Sequence, residues 1–187
     1  MKFIEGGVTA AQGFTAGGLH CGIRKNKTKP DLAMIYSERA CAAAAVYTQN
    51  LVKGAPILVT KENIKDGKAR AVFCNSGNAN TCNADGVEKA RRMCEIAGQA
   101  LGIDPTDVVV ASTGVIGQVL PLEPIESAAQ ALADSLTADG SLRAAQAIMT
   151  TDTYAKEAAV EVEIGGKAVH IGSIAKGSGM IHPNMAT

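Results

Sequence analysis

Between Val160 and Ile171 the chain alternates with a strict two-residue period. Val160, Val162 and Ile164 are separated by Glu161 and Glu163, Gly165-Gly166 follows, and Val169 and Ile171 resume the pattern. Successive strand side chains point to opposite faces, and a two-residue hairpin loop needs positive φ angles that glycine adopts without strain. The stretch therefore predicts an antiparallel hairpin with one buried and one wet face.

The segments ahead of it mix strand and helix signals. Residues 13–23 read as a glycine-rich strand and residues 31–37 as a second one. Residues 42–48 suit a third strand, although their alanines also suit a helix. Residues 56–60 read as a strand or as a first helical turn, since Pro56 favours the latter. Residues 69–74 form a short buried strand that runs into a loop, Asn75-Ser76-Gly77-Asn78-Ala79-Asn80. Val87, Ala90, Cys94, Ala97 and Leu101 then share one face at 3.6-residue spacing, with Asn83 or Asp85 to cap the start and Gly102 to end the helix. Residues 107–112 form a buried strand followed by Thr113-Gly114-Val115-Ile116-Gly117, and two more helices are expected over 125–136 and 142–149. Hairpins mixed with helices imply an α/β (α+β) layered sandwich rather than a regular βαβ series. A length of 187 residues fits a single domain, 1–187. With three Tyr, three Phe, no Trp and twenty Gly, its core is aliphatic and allows close backbone approach.

Composition narrows the function classes. Eighteen basic and eighteen acidic residues cancel, so no electrostatic footprint for nucleic acid exists, and residues 24–29 read as a solvated basic loop. No apolar stretch reaches the length of a membrane span, and residues 1–7 carry no signal-peptide pattern, so the expectation is a soluble, cytoplasmic protein without membrane partners. Cys21, Cys41, Cys74, Cys82 and Cys94 include no CxxC pair and read as small buried hydrophobes; no metal site is expected.

Three loops share one chemistry: residues 75–80, 112–117 and 176–184 place small, hydroxyl or amide residues directly after strands. Backbone N–H groups in such loops can bind an anion or a developing oxyanion, or the glycines can simply serve tight turns. Ala175-Lys176-Gly177-Ser178-Gly179 has its lysine ahead of the glycines, unlike a P-loop. The hydroxyl run Met149-Thr150-Thr151-Asp152-Thr153 suits either helix capping or substrate binding. His20 and His170 read as structural or solvent-facing, and His182 has only Ser178 near it in sequence. The closing residues read as the middle of a shaped loop, with Thr187 marking a cut. A threonine whose α-amine is freed can act as a nucleophile, because that amine titrates near ~7.7–8.0 and serves as its own base. Attack of the Thr187 hydroxyl on the Ala186 carbonyl, an N-to-O acyl shift followed by ester hydrolysis, would free it.

Taken in order, Asn75–Asn80, Ser112-Thr113-Gly114-Val115-Ile116-Gly117, Met149-Thr150-Thr151-Asp152-Thr153 and the run from Lys176 to Ala186-Thr187 resemble the ornithine acetyltransferases, also called glutamate N-acetyltransferases, of arginine biosynthesis. The likeness spans the α part of the family's self-cleaving precursor. It implies cleavage between Ala186 and Thr187, with Thr187 as the nucleophile that opens the β chain. Thr113 and Gly114 would match the oxyanion hole, and Lys176 with Thr150 or Thr151 the substrate contacts. Acetyl would pass from N-acetylornithine to the threonine and then to glutamate in a ping-pong cycle without a cofactor, some members also using acetyl-CoA. The implied fold is similar to N-terminal-nucleophile hydrolases, active only with the β chain and assembled as α2β2.

Two departures stand out. An α chain cut in the family manner closes at Ala186, whereas this sequence includes Thr187 with an amide nitrogen, as in an uncut precursor or a division one residue later. Tyr154-Ala155-Lys156 also replaces an expected aromatic-Pro-Lys. Two other readings compete: a self-processing amidase or aminopeptidase that passes its acyl group to water, and a non-catalytic anion-binding domain.

Overall fold

The structure is a computed structural model, and it describes residues 1–178. Strands β1 (Lys2–Ile4), β2 (Phe14–Leu19) and β3 (Leu32–Ala42) are followed by helix α1 (Ala55–Asn63), strand β4 (Lys68–Asn78) and helix α2 (Gly86–Leu101). Strand β5 (Val108–Val115), helices α3 (Glu123–Asp134) and α4 (Ser141–Ala147), and the hairpin β6 (Lys156–Ile164) and β7 (Lys167–Ala175) complete the order. Two sheets result, one of four strands in the order β2-β3-β4-β5 and one of three in the order β1-β6-β7. Mixed sheets layered with helices are the architecture expected from the sequence.

In the larger sheet only β4 and β5 are parallel. A parallel pair needs a crossover connection, and α2 supplies it. One face of this sheet holds the main core: Leu32, Met34, Phe73, Val108 and Val110 pack under Val59 of α1, Met93, Ile96 and Ala97 of α2, and Ile125 and Leu132 of α3. The opposite face is lined by alanines, with Ala16 and Ala33 against Ala144 and Ala147 of α4. Small side chains there let α4 lie close to the strands, which takes the place of aromatic filling.

Helix α2 follows its sequence periodicity, with Ala90, Cys94 and Ala97 buried and Gly102 closing it at φ 66°. Asp85 occupies the N-cap without a capping hydrogen bond from its side chain; it pairs with Lys89 at 3.2 Å instead. Residues 43–50 are neither strand nor helix. Residues 56–60 belong to α1, with Pro56 in its first turn as the helical alternative required. The expected loop at Asn75 is strand as far as Asn78, because parallel pairing with β5 continues through Asn75–Ser112, Ser76–Thr113 and Gly77–Gly114.

The hairpin forms as predicted, with Gly165 at φ 58° and Gly166 at φ 75°. Its faces, however, are reversed from expectation. Across the three strands Phe3 pairs with Val160 and Val160 with Ile171, so these apolar residues share one face, on which Phe3 and Ile171 are exposed and Val160 is half-buried. The opposite face carries Ala159 and Gly172 against the 3-10 turn Val8–Ala10, where a side chain at position 172 would strike the Gly7 carbonyl. Close backbone approach, rather than hydrophobicity, decided which face turned inward.

Candidate active site

Two of the expected site residues sit side by side at the ends of the parallel strands. Thr113 is half-buried opposite Ser76, and Gly114 is exposed opposite Gly77. Gly114 has φ +136°, and a Cβ there would lie 2.3 Å from the carbonyl carbon of Gly77. Only glycine fits both the dihedral angle and the space.

The asparagines that precede this site are ties and not an anion-binding loop. Asn75 donates to the Asn78 carbonyl at 2.9 Å, Asn78 to the Gln118 carbonyl at 2.9 Å, and Asn80 to the Gly86 carbonyl at 2.9 Å. All three are buried. The backbone N–H groups of Ser76, Ala79 and Asn80 are likewise spent, on Asp31, Val115 and the Asn78 side chain. These bonds bind the end of β4 to the segment after β5 and to the start of α2.

The other expected residues gather around a group that the sequence reading passed over, Asp152. Its side chain is 1% exposed and accepts from Lys156 at 3.0 Å and from the backbone N–H groups of Thr150 at 3.1 Å and Gly177 at 2.6 Å. Lys176 approaches its second oxygen at 3.3 Å. Burial works to raise this carboxyl, but the bonds from Lys156, Thr150, Gly177 and Lys176 together overcome it and hold Asp152 well below the usual carboxylate range. Gly177 has no side chain because one would lie 2.7 Å from the Asp152 carboxylate. One acid thereby joins the 150–153 turn to the residues that follow β7. The only hint in the sequence is a lone acidic residue within a run of hydroxyls.

Lys176 is thus turned toward Asp152 and also donates to the Gly177 carbonyl at 2.9 Å. An ammonium has three N–H donors, so one remains. Thr150 is half-buried and Thr151 exposed. In the departing motif, Lys156 stacks over the Tyr154 ring at 4.3 Å while serving Asp152.

The two groups of residues are in contact through Arg24. A Cβ at Gly77 would lie 3.0 Å from Arg24 Cγ; the Arg24 guanidinium donates to the Met149 carbonyl, and the Ser76 hydroxyl donates to the Ala147 carbonyl at 2.6 Å. Arg24, Met149, Thr150 and Asp152 line a cleft of about 360 Å³; Thr113, Thr151 and Lys176 lie outside its lining. Arg24 itself is placed by buried Asp31, which accepts its backbone N–H at 2.8 Å.

Ala186, Thr187 and His182 lie outside the described residues. His20 bonds the Lys29 carbonyl at 3.1 Å, and His170 bonds Glu161 at 3.1 Å, so both have structural partners. Cys94 is buried and Cys21, Cys41 and Cys74 half-buried, while Cys82 is exposed against expectation. Burial pushes the Cys21 and Cys74 thiols up to about 12 and Cys94 up to about 11, which argues against a nucleophilic thiolate at these positions.

The chain that carries these two groups of residues matches known proteins along nearly its whole length. The model of the ArgJ family matches residues 15–187. The chain belongs to the ArgJ family. It is 55% identical over 188 residues to the "Arginine biosynthesis bifunctional protein ArgJ" of Gloeobacter violaceus and 50% identical over 189 residues to that of Symbiobacterium thermophilum. All of this chain is matched, but only 46% and 47% of those relatives, so it spans about half their length. Two solved structures share the fold, which is similar to N-terminal-nucleophile hydrolases. One is the arginine biosynthesis bifunctional protein ArgJ of Bacillus halodurans (TM-score 0.90, 40% identity, 98% of this chain and 96% of that one). The other is the ornithine acetyltransferase of Mycobacterium tuberculosis in complex with ornithine (TM-score 0.91, 35% identity, 98% of each chain).

Proposed function

We propose that this chain is the α part of a self-processing glutamate N-acetyltransferase that moves acetyl from N-acetylornithine to glutamate. The observation that carries the reading is the likeness, along nearly the entire chain, to an ornithine acetyltransferase solved with ornithine bound. Coverage supports the division into two parts. The solved chains are matched over 96% and 98% of their own length, the curated relatives over 46% and 47%, as a precursor split near its middle would give.

In this reading the Thr187 hydroxyl attacks the Ala186 carbonyl, the peptide C–N bond breaks to free the Thr187 amine, and water hydrolyses the resulting ester, leaving Ala186 as a carboxylate and restoring the Thr187 hydroxyl. That amine then takes the hydroxyl proton as Thr187 attacks the acetyl carbonyl of N-acetylornithine. The amide C–N bond breaks, ornithine leaves with the proton, and acetyl remains as a threonine ester. The amine of glutamate attacks the ester, N-acetylglutamate departs, and the hydroxyl is restored. Each tetrahedral intermediate carries an oxyanion, for which the Thr113 hydroxyl and the Gly114 N–H are the donors. Lys176 and Thr150 or Thr151 hold the substrate. The cycle calls for no metal or cofactor, with acetyl-CoA as a second acetyl donor. The working enzyme is a cytoplasmic α2β2 assembly.

The test is acceptor choice. The complete two-part protein is incubated with N-acetylornithine, with and without glutamate, and the products are separated. Ornithine release that depends on glutamate, with N-acetylglutamate formed in equal amount, is expected. Acetate as the only acyl product, at a rate indifferent to glutamate, would make the protein an amidase. Ligand binding without turnover would make it an anion-binding module.

A further inference from the structure

The three-stranded sheet presents an apolar face that no described residue covers. Phe3, Val160 and Ile171 form one row across its three strands, Val162 and Val169 the next, and Ile164 stands beside the hairpin turn. Phe3 is 80% exposed, Ile164 61% and Ile171 53%. These residues cannot be buried by turning the sheet over. Its opposite face is committed to the Val8–Ala10 turn, with no room for a side chain at Gly172 and with His170 bonded to the Ala10 carbonyl at 3.1 Å. Contiguous branched and aromatic side chains on one sheet face are what a buried layer contact looks like, and scattered surface hydrophobes do not produce that register.

We infer that this face is the seat of the second half of the polypeptide, which covers it with an aliphatic layer of its own. The reason to choose that occupant is length: more than half of the curated relatives has no counterpart in this chain. The matched part is N-terminal, so the remainder follows β7 and stays tethered to the sheet until any cut. Among the described residues β7 is also an edge strand of nine residues, and a long edge beside an apolar face is a liability that folded proteins close off. The sheet then becomes an inner layer, and the hairpin couples the two halves directly ahead of Lys176 and Gly177. The inference rests on the proposed function only for the existence of a second half.

Site-resolved alkylation of the complete protein tests it. Ile171→Cys and Val169→Cys are introduced separately, and the rate of iodoacetamide modification at each new thiol is read by peptide mass mapping against free N-acetylcysteine. Burial under the second half predicts modification at least about ten-fold slower than the free thiol. Labelling at the free-thiol rate in the assembled protein would overturn the inference. So would protection that is lost on simple dilution, or an Ile171→Cys disulfide between two copies, since either would make a second copy of this chain the cover. Neither readout requires acetyl transfer, so a failed acetyltransferase assay leaves the result interpretable.

Discussion

Asp152 shows how one residue organises a site that no local pattern reveals. Its carboxylate faces two lysines and two backbone N–H groups, and removing its charge takes away the carboxylate that Lys156 and Lys176 share. Asp152→Asn should cost about 3 kcal/mol at neutral pH, the lower end for breaking a buried pair, because the two ammoniums are partly exposed. The folded carboxyl is depressed below its unfolded value of about 3.9. Its contribution is therefore present above that value and lost as pH falls toward the folded one. Denaturation at pH 7 and pH 3 should show a smaller deficit for the variant at pH 3; equal deficits would mean that charge is not the cause. At the proposed oxyanion hole, Thr113→Ala should slow both self-cleavage and transfer by roughly a hundred-fold, with Thr113→Ser recovering most of the loss. Unchanged rates would take Thr113 out of the chemistry. Lys176→Ala separates two roles: a raised KM with kcat little changed marks a substrate contact, whereas a normal KM with lowered stability marks a partner of Asp152 only.

At the scale of elements, legibility followed how local the determining interaction is. The stripe on α2 and the Gly165-Gly166 turn are set by residues within a few positions, and both were read correctly. Residues 42–48 have mild preferences for two states, and tertiary packing kept only Ala42 in a strand, leaving 43–48 in neither state. The 75–78 segment looked like a loop because asparagine and glycine are poor strand formers. Pairing with β5, made possible by the Gly77–Gly114 contact, kept it in the sheet. The hairpin turn provides a clean test of backbone strain. A Cβ at Gly165 or Gly166 would meet nothing within 4 Å, so any penalty there is conformational. Replacing either by Ala should lower stability by about 1 kcal/mol, and by Asn noticeably less, since Asn tolerates the left-handed region. Equal denaturation midpoints for Gly, Ala and Asn would show that the turn does not need positive φ.

For the whole molecule, the chain spans about half the length of its curated relatives, and the apolar face of the three-stranded sheet is the place inferred above for the remainder. The division of the full polypeptide can be read from intact masses after expression of the complete gene product. Two species are expected, the second beginning with Thr187. Edman sequencing of that second species then checks the residue directly, and a single uncut species that still transfers acetyl would remove the freed threonine amine from the mechanism. Blocking cleavage with Thr187→Ala should leave one long species with no transferase activity.

The sequence by itself determined the mixed layered fold, the period of α2 and its end at Gly102, the hairpin, and the ordered series of motifs that resembles the ornithine acetyltransferases. These depend on the spacing of residues near one another along the chain. Only the tertiary structure decided that Asp152 unites the 150–153 turn with Lys176, that Gly77 and Gly114 lock the site strands together, and that the hairpin's apolar face points away from the body. Each of those depends on which distant backbone comes close enough to exclude a side chain, and residue periodicity carries no information about that distance.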